Sequence, residues 1–128
     1  MILKNIHHIA IICSNYEISK SFYINVLGMK IIREVYRKER NSYKLDLTLN
    51  GNYIIELFSF PDSPQRLSYP EACGLRHLAF SVENIEIFCQ KLSEQNIHFE
   101  PIRIDEFTQK KFTFFTDPDN LPIELYEE

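Results

Sequence analysis

Tryptophan is absent from this chain, glycine and cysteine occur three times each, and methionine twice. So little glycine, with only six prolines among 128 residues, excludes a low-complexity or collagen-like chain. The cysteines, Cys13, Cys73 and Cys89, are odd in number and show no CxxC spacing. A disulfide framework or structural zinc cluster is therefore not expected, and free thiols in a reducing cytoplasm are. An excess of positive charge is also missing: the formal net charge is −4, which gives no electrostatic reason to expect nucleic acid. The basic residues between Arg33 and Lys44 are interleaved with Glu34 and Glu39 and followed by Asp46, and read as a solvated strand face ahead of an anion site. No apolar run approaches the length of a membrane span. The opening Met1-Ile2-Leu3-Lys4-Asn5-Ile6-His7-His8 lacks the continuous apolar stretch of a signal peptide. The expected location is the cytoplasm, with no membrane partner.

What the chain does have is core material: 45% hydrophobic residues, with ten Phe and seven Tyr. That suffices for one domain over residues 1–128. An internal repeat decides how it is organised. The segment from His7 to Asn15 aligns without gaps on that from Arg76 to Asn84, and Ile55-Glu56-Leu57-Phe58 aligns on Ile123-Glu124-Leu125-Tyr126. The spacing is 48 residues from His8 to Glu56 and 47 from His77 to Glu124. Each module thus opens on a strand carrying His and closes on a strand carrying Glu.

Between these anchors the modules read alike. After Asn15, the residues Ile18, Phe22, Val26 and Leu27 recur at helical spacing, Ser14 and Glu17 have the spacing of a capping box, and Gly28 is a natural stop. After Asn84, which can cap, Ile85, Phe88, Cys89 and Leu92 form the second stripe, with Asn96 at its end. Three strands are expected after each helix. The first set is Lys30–Tyr36, Tyr43–Leu49 and Tyr53–Phe60, with Asn50-Gly51 as a tight hairpin turn; the second is His98–Ile104, Lys111–Thr116 and Leu121–Tyr126. The pattern is βαβββ twice, an α+β fold, with module one over about 4–60 and module two over about 74–127. The expected architecture is a cup-shaped, eight-stranded mixed sheet around a metal site.

Strand alternation sorts the side chains by face. Ile9, Ile11 and Cys13, repeated as Leu78, Phe80 and Val82, belong against the helices. His8, Ala10 and Ile12, repeated as His77, Ala79 and Ser81, belong to the other face, and His7 is expected on the helix side near the strand end. A lone strand His or a single buried Glu reads as a structural pair, because an unpartnered carboxylate out of water costs several kcal/mol. Two of each at matched repeat positions favour a metal site over a purely structural network. With two imidazoles and two carboxylates, one divalent metal (Zn, Ni, Co or Mn) is expected on His8, Glu56, His77 and Glu124.

The chain resembles the vicinal oxygen chelate superfamily, and within it the glyoxalase I-like proteins. The resemblance rests on His8 followed by Phe22-Tyr23-Ile24-Asn25-Val26-Leu27-Gly28-Met29, on Ile55-Glu56-Leu57, on Arg76-His77-Leu78-Ala79-Phe80, and on Asp117-Pro118-Asp119 leading to Ile123-Glu124-Leu125. It implies paired βαβββ modules, the same four-residue metal set, and a homodimer. It also implies a lyase or isomerase that moves a proton beside a carbonyl of a small vicinal-oxygen or thiol-adduct substrate, with Glu124 first and Glu56 second as catalytic base. The chain departs from glyoxalase I proper at Ile12 and Phe60, where that family often carries an Arg and an Asn that grip glutathione. Lys44, Asp46 and Thr48, and residues such as Arg66, Tyr69, Arg76, Thr108 and Lys111, read equally as substrate contacts or as surface. The alternative reading is a non-catalytic small-molecule binding protein of the same fold.

Overall fold

A computed structural model describes all of residues 1–128. The chain divides into two units, Met1–Gln65 and Arg66–Glu128. The first contains β1 (Ile9–Cys13), α1 (Tyr16–Ser21), β2 (Lys30–Arg37), β3 (Ser42–Leu49) and β4 (Asn52–Ser59). The second contains β5 (Leu78–Val82), α2 (Ile85–Glu94), β6 (Arg103–Ile104), β7 (Lys111–Thr116) and β8 (Pro122–Glu127). Both are βαβββ. Their strands form two four-stranded sheets, ordered β1-β4-β3-β2 and β5-β8-β7-β6, where the sequence suggested one eight-stranded cup. The hydrogen-bond ladders run within each module, so every ladder is closed by its own repeat.

The topology follows from the repeat. In each module the opening strand lies parallel to the closing one, with Ile9 opposite Ile55 and Leu78 opposite Ile123. Parallel neighbours need a crossover, and the helix supplies it. The helix then covers one sheet face. In the first module that face carries Ile11 and Cys13, Ile55 and Leu57, and Leu45 and Leu47, all buried. In the second it carries Leu78, Ile123, Leu125, Phe115 and Thr113, again all buried. Each fully buried Leu or Ile contributes roughly 1.5–3 kcal/mol by leaving water, so these faces hold the modules together.

Local chemistry sets the boundaries. Asn50 (φ 50°) and Gly51 (φ 78°) both adopt left-handed backbone, as a two-residue type I′ turn between β3 and β4 demands. The first helix departs from expectation in two ways. Its cap is Asn15, whose Oδ1 accepts from Ile18 N at 3.1 Å, and Ser14 lies one residue too early. Asn84 does the same for Ile87 N at 2.9 Å. After Ser21 the helix widens into a π turn over Phe22–Val26, closed by Leu27 N to Phe22 O at 3.2 Å. The buried stripe runs through Tyr16, Ser19 and Tyr23, spaced by three and four, with Phe22 also buried, while Ile18 is 56% exposed. Gly28, at φ 74°, then ends the helix as Met29 N bonds Tyr23 O at 3.1 Å.

The strand expected over His98–Ile104 shrinks to Arg103–Ile104. Pro101 has no N–H to give a ladder, although Glu100 N still reaches Phe114 O at 2.8 Å. No helix is long and apolar enough to cross a membrane.

Candidate functional site

The face of each sheet opposite its helix carries the predicted residues. Register across the first sheet places Ala10, Glu56, Asp46 and Arg33 in one row, and Ile12, Phe58, Lys44 and Val35 in the next. In the second sheet the corresponding rows are Ala79, Glu124 and Phe114, then Ser81, Tyr126, Phe112 and Arg103. His8 and His77 precede their strands and lean over the Glu rows. His8 Nε2 lies 3.8 Å from Glu56 Oε2, and His77 Nε2 lies 3.1 Å from Glu124 Oε2. The two carboxylates are equally withdrawn from solvent, with 16% and 15% of their side-chain surface exposed.

Their neighbours differ. In the first module Glu56 shares a polar network: Lys44 Nζ is 3.4 Å from Glu56 Oε2 and 2.7 Å from Asp46 Oδ1. Tyr53 donates its hydroxyl to Asp46 Oδ1 at 2.8 Å and to Glu56 Oε2 at 3.1 Å, and Arg33 Nε binds Asp46 Oδ2 at 3.1 Å. Asp46 is fully buried. Burial pushes its carboxyl upward, but the hydrogen bonds from Lys44, Tyr53 and Arg33 outweigh that and hold it below the usual carboxylate range. Burial and the two neighbouring carboxylates raise the Tyr53 phenol, so it stays a donor. Sequence reasoning left Asp46 open and missed Tyr53. The signal for Asp46 was its ladder position directly opposite Glu56.

In the second module the row position of Asp46 is taken by Phe114, whose ring stands edge-on to His77 at 5.1 Å. Phe112 takes the position of Lys44. No lysine or arginine pairs with Glu124; the side chain paired with it is the His77 imidazole. Arg76 Nη1 lies 3.0 Å from His77 Nδ1. A guanidinium can only donate, so Nδ1 of the neutral ring accepts and the ring hydrogen sits on Nε2, facing Glu124.

His7 also falls differently from expectation. Because β1 begins only at Ile9, alternation does not bind it to the helix side. Its Nδ1 lies 2.8 Å from His8 Nδ1, and both rings rest near Tyr53, at 5.4 and 5.0 Å.

A model of the glyoxalase/bleomycin resistance protein/dioxygenase superfamily matches residues 5–125. The chain belongs to this superfamily. A similar member is the uncharacterized protein YwkD of Bacillus subtilis, 63% identical over 128 residues that span 100% of both chains. The crystal structure of a glyoxalase family protein from Enterococcus faecalis is 54% identical, with a TM-score of 0.90 over 99% of this chain and 100% of that one. More distantly, a lactoylglutathione lyase of Schizosaccharomyces pombe is 26% identical over 145 residues, covering 96% of this chain and 47% of its own length. The superfamily fold is consistent with isomerase or lyase chemistry in general.

The expectation of a metal, drawn from the sequence, is corrected here. No group of three or more His, Cys, Asp or Glu side chains is placed to hold a metal ion. The set of His8, Glu56, His77 and Glu124 expected to bind one Zn, Ni, Co or Mn ion stands instead as two His–Glu pairs. Two donors fall short of the three or four protein ligands that such ions take. At Glu56, moreover, the ammonium of Lys44 and the hydroxyl of Tyr53 already face the carboxylate.

Proposed function

We propose that this superfamily member is a glyoxalase-type lyase or isomerase that moves a proton beside the carbonyl of a small vicinal-oxygen or thiol-adduct substrate. Glu124 is the base and His77 its partner; His8 and Glu56 are the matching polar residues of the first module, with Glu56 the second acid–base candidate. The observation that carries this reading is the His77–Glu124 pair at 3.1 Å, with an aromatic wall and no lysine or arginine on the carboxylate. A carboxylate beside Phe114 and partnered only by an imidazole is available to accept a proton. Glu56, facing Lys44 and Tyr53, is not equally available. The proton taken by Glu124 from the carbon next to the carbonyl leaves an enediolate. Its return to the former carbonyl carbon, with the hydroxyl proton passing to the former carbonyl oxygen, completes an isomerisation with no net gain or loss of atoms. The name of the Schizosaccharomyces pombe relative fits this reaction class.

The substrate is read as small. Ile12 and Phe60 stand where glyoxalase I proper often places glutathione-gripping Arg and Asn side chains. Charge-assisted hydrogen bonds contribute roughly 1.5–3 kcal/mol each, so the glutathione hemithioacetal should be a poor substrate. The test is product formation from the hemithioacetal of methylglyoxal with 2-mercaptoethanol, followed by NMR. Conversion by the wild type that is lost in Glu124→Gln supports the reading. Tight binding without conversion of any hemithioacetal would instead identify a binding protein of this fold.

The protein is further read as a cytoplasmic homodimer. All of β2 is an edge, with Ile31, Ile32, Val35 and Tyr36 exposed along it, and such edges favour pairing. A light-scattering mass near the 15.2 kDa of one chain would refute the dimer.

A further inference from the structure

Beyond the Lys44 row of the first sheet, Arg37 ends β2 opposite Ser42. Its guanidinium lies over two aromatic rings, 4.9 Å from the centre of Phe58 and 5.6 Å from that of Phe60. The two rings are themselves stacked at 5.7 Å with 15° between their planes. The hydrogen-bond partner of this guanidinium is a neutral hydroxyl, Ser42 Oγ at 2.8 Å from Nη2. Nε is withdrawn from solvent without any acceptor. A half-buried guanidinium with no carboxylate is an incomplete arrangement, because a charge out of water costs free energy unless paired.

The other arginines of the two open faces show what completion looks like. Arg33 pairs with Asp46. Arg103, which also lies over two rings, Phe112 and Phe114, is paired with Glu100 at 2.9 Å. Arg37 has the aromatic platform and lacks the acid. Stacking fixes the plane of the guanidinium and leaves Nη1 without a protein acceptor, which preorganises it for a two-point contact with a planar anion.

We propose that Arg37, on its Phe58/Phe60 platform, is the docking point for the carboxylate of a small anionic ligand. Phe58 is two residues along β4 from Glu56, about 7 Å at strand spacing. A carboxylate held there leaves the rest of an extended molecule free to reach the Glu56 row. The ligands favoured there are small carboxylates with an extended body, and the task this gives the first module is reading charge.

The binding arm of the test uses glutarate and its neutral analogue glutaramide, titrated into the full-length protein at low salt, with the Arg37 Nε–H NMR signal as readout. Glutarate should bind and move that signal, glutaramide should not, and Arg37→Gln should weaken glutarate by roughly ten- to a hundredfold. Arg37→Lys keeps the charge and loses the planar fork, so it should fall between. Equal binding of glutarate and glutaramide by the wild type, or unchanged glutarate affinity in a folded Arg37→Gln, would overturn the proposal; the first comparison needs no variant to fold.

Discussion

The two modules carry the same backbone order, the same helix caps and the same His–Glu pair, yet they floor that pair with opposite materials. Behind Glu56 stand Lys44, Asp46 and Tyr53; behind Glu124 stand Phe114 and Phe112. The exchange sits at the positions directly across the ladder from each Glu, and it decides what the carboxylate can do. Glu56 is engaged by an ammonium and a phenol, whereas Glu124 is left with an imidazole in an aromatic setting. On the proposed reading, duplicating the fold did not duplicate the function: one copy reads charge and the other moves a proton.

The largest effect that would break this contrast is catalytic. Glu124→Gln should lower kcat by roughly 10²–10⁴, the usual worth of a positioned base, while Glu56→Gln should cost about tenfold or less. Steady-state rates of the two variants on one hemithioacetal check this, and equal losses would erase the distinction between the modules.

Next comes stability. Asp46→Leu strips Lys44, Tyr53 and Arg33 of their shared acceptor. Lys44 and Arg33 keep some access to solvent, which softens the loss to about 2–4 kcal/mol. Phe114→Leu, at the same place in the second module, should cost only about 1 kcal/mol of packing. Urea unfolding of both should show this order, and the reverse order would mean that the polar floor is not a structural network. The caps should not distinguish the modules at all: Asn15→Ala and Asn84→Ala should each cost about 1 kcal/mol.

The smallest effect is on pH. Hydrogen bonds from Lys20 and Tyr16 hold the Glu34 carboxyl below its usual value. A depressed folded pKa contributes stability above the ordinary carboxylate pKa and loses it as pH falls through the depressed value. Glu34 is partly solvated, so the contribution is about 0.2–1 kcal/mol. Acid unfolding of Glu34→Gln should lack this portion of the pH dependence, and an unchanged acid slope would assign it to other groups.

Much of this was legible before any coordinates. The His and Glu anchors gave the repeat and the βαβββ order of each module, and Asn50-Gly51 gave the β3–β4 hairpin. Ile11, Leu57, Leu125 and their partners fell on the helix side as alternation required. The misses have local causes. Ser14 has capping-box spacing, but the cap is Asn15, which the repeat pairs with Asn84, the cap of the second helix. The buried stripe of the first helix passes through Ser19, a polar residue that an apolar period does not mark, so Ile18 was placed inward. Matching positions singled out His8, Glu56, His77 and Glu124 as one metal set, whereas the structure shows two His–Glu pairs. Whether four donors converge depends on how the chain places them, and here Lys44 and Tyr53 occupy the company of Glu56. The contrast between the modules lies in residues such as Asp46 and Phe114, which no motif marks and only strand register brings beneath the carboxylates.

The most direct test of the central claim follows solvent deuterium. With the methylglyoxal–2-mercaptoethanol hemithioacetal in D2O, wild-type protein should yield the lactoyl thioester, with deuterium entering at the carbon that receives the returned proton. Glu124→Gln should abolish both product and label, and Glu56→Gln should retain them. A product formed at an undiminished rate by Glu124→Gln would contradict the account.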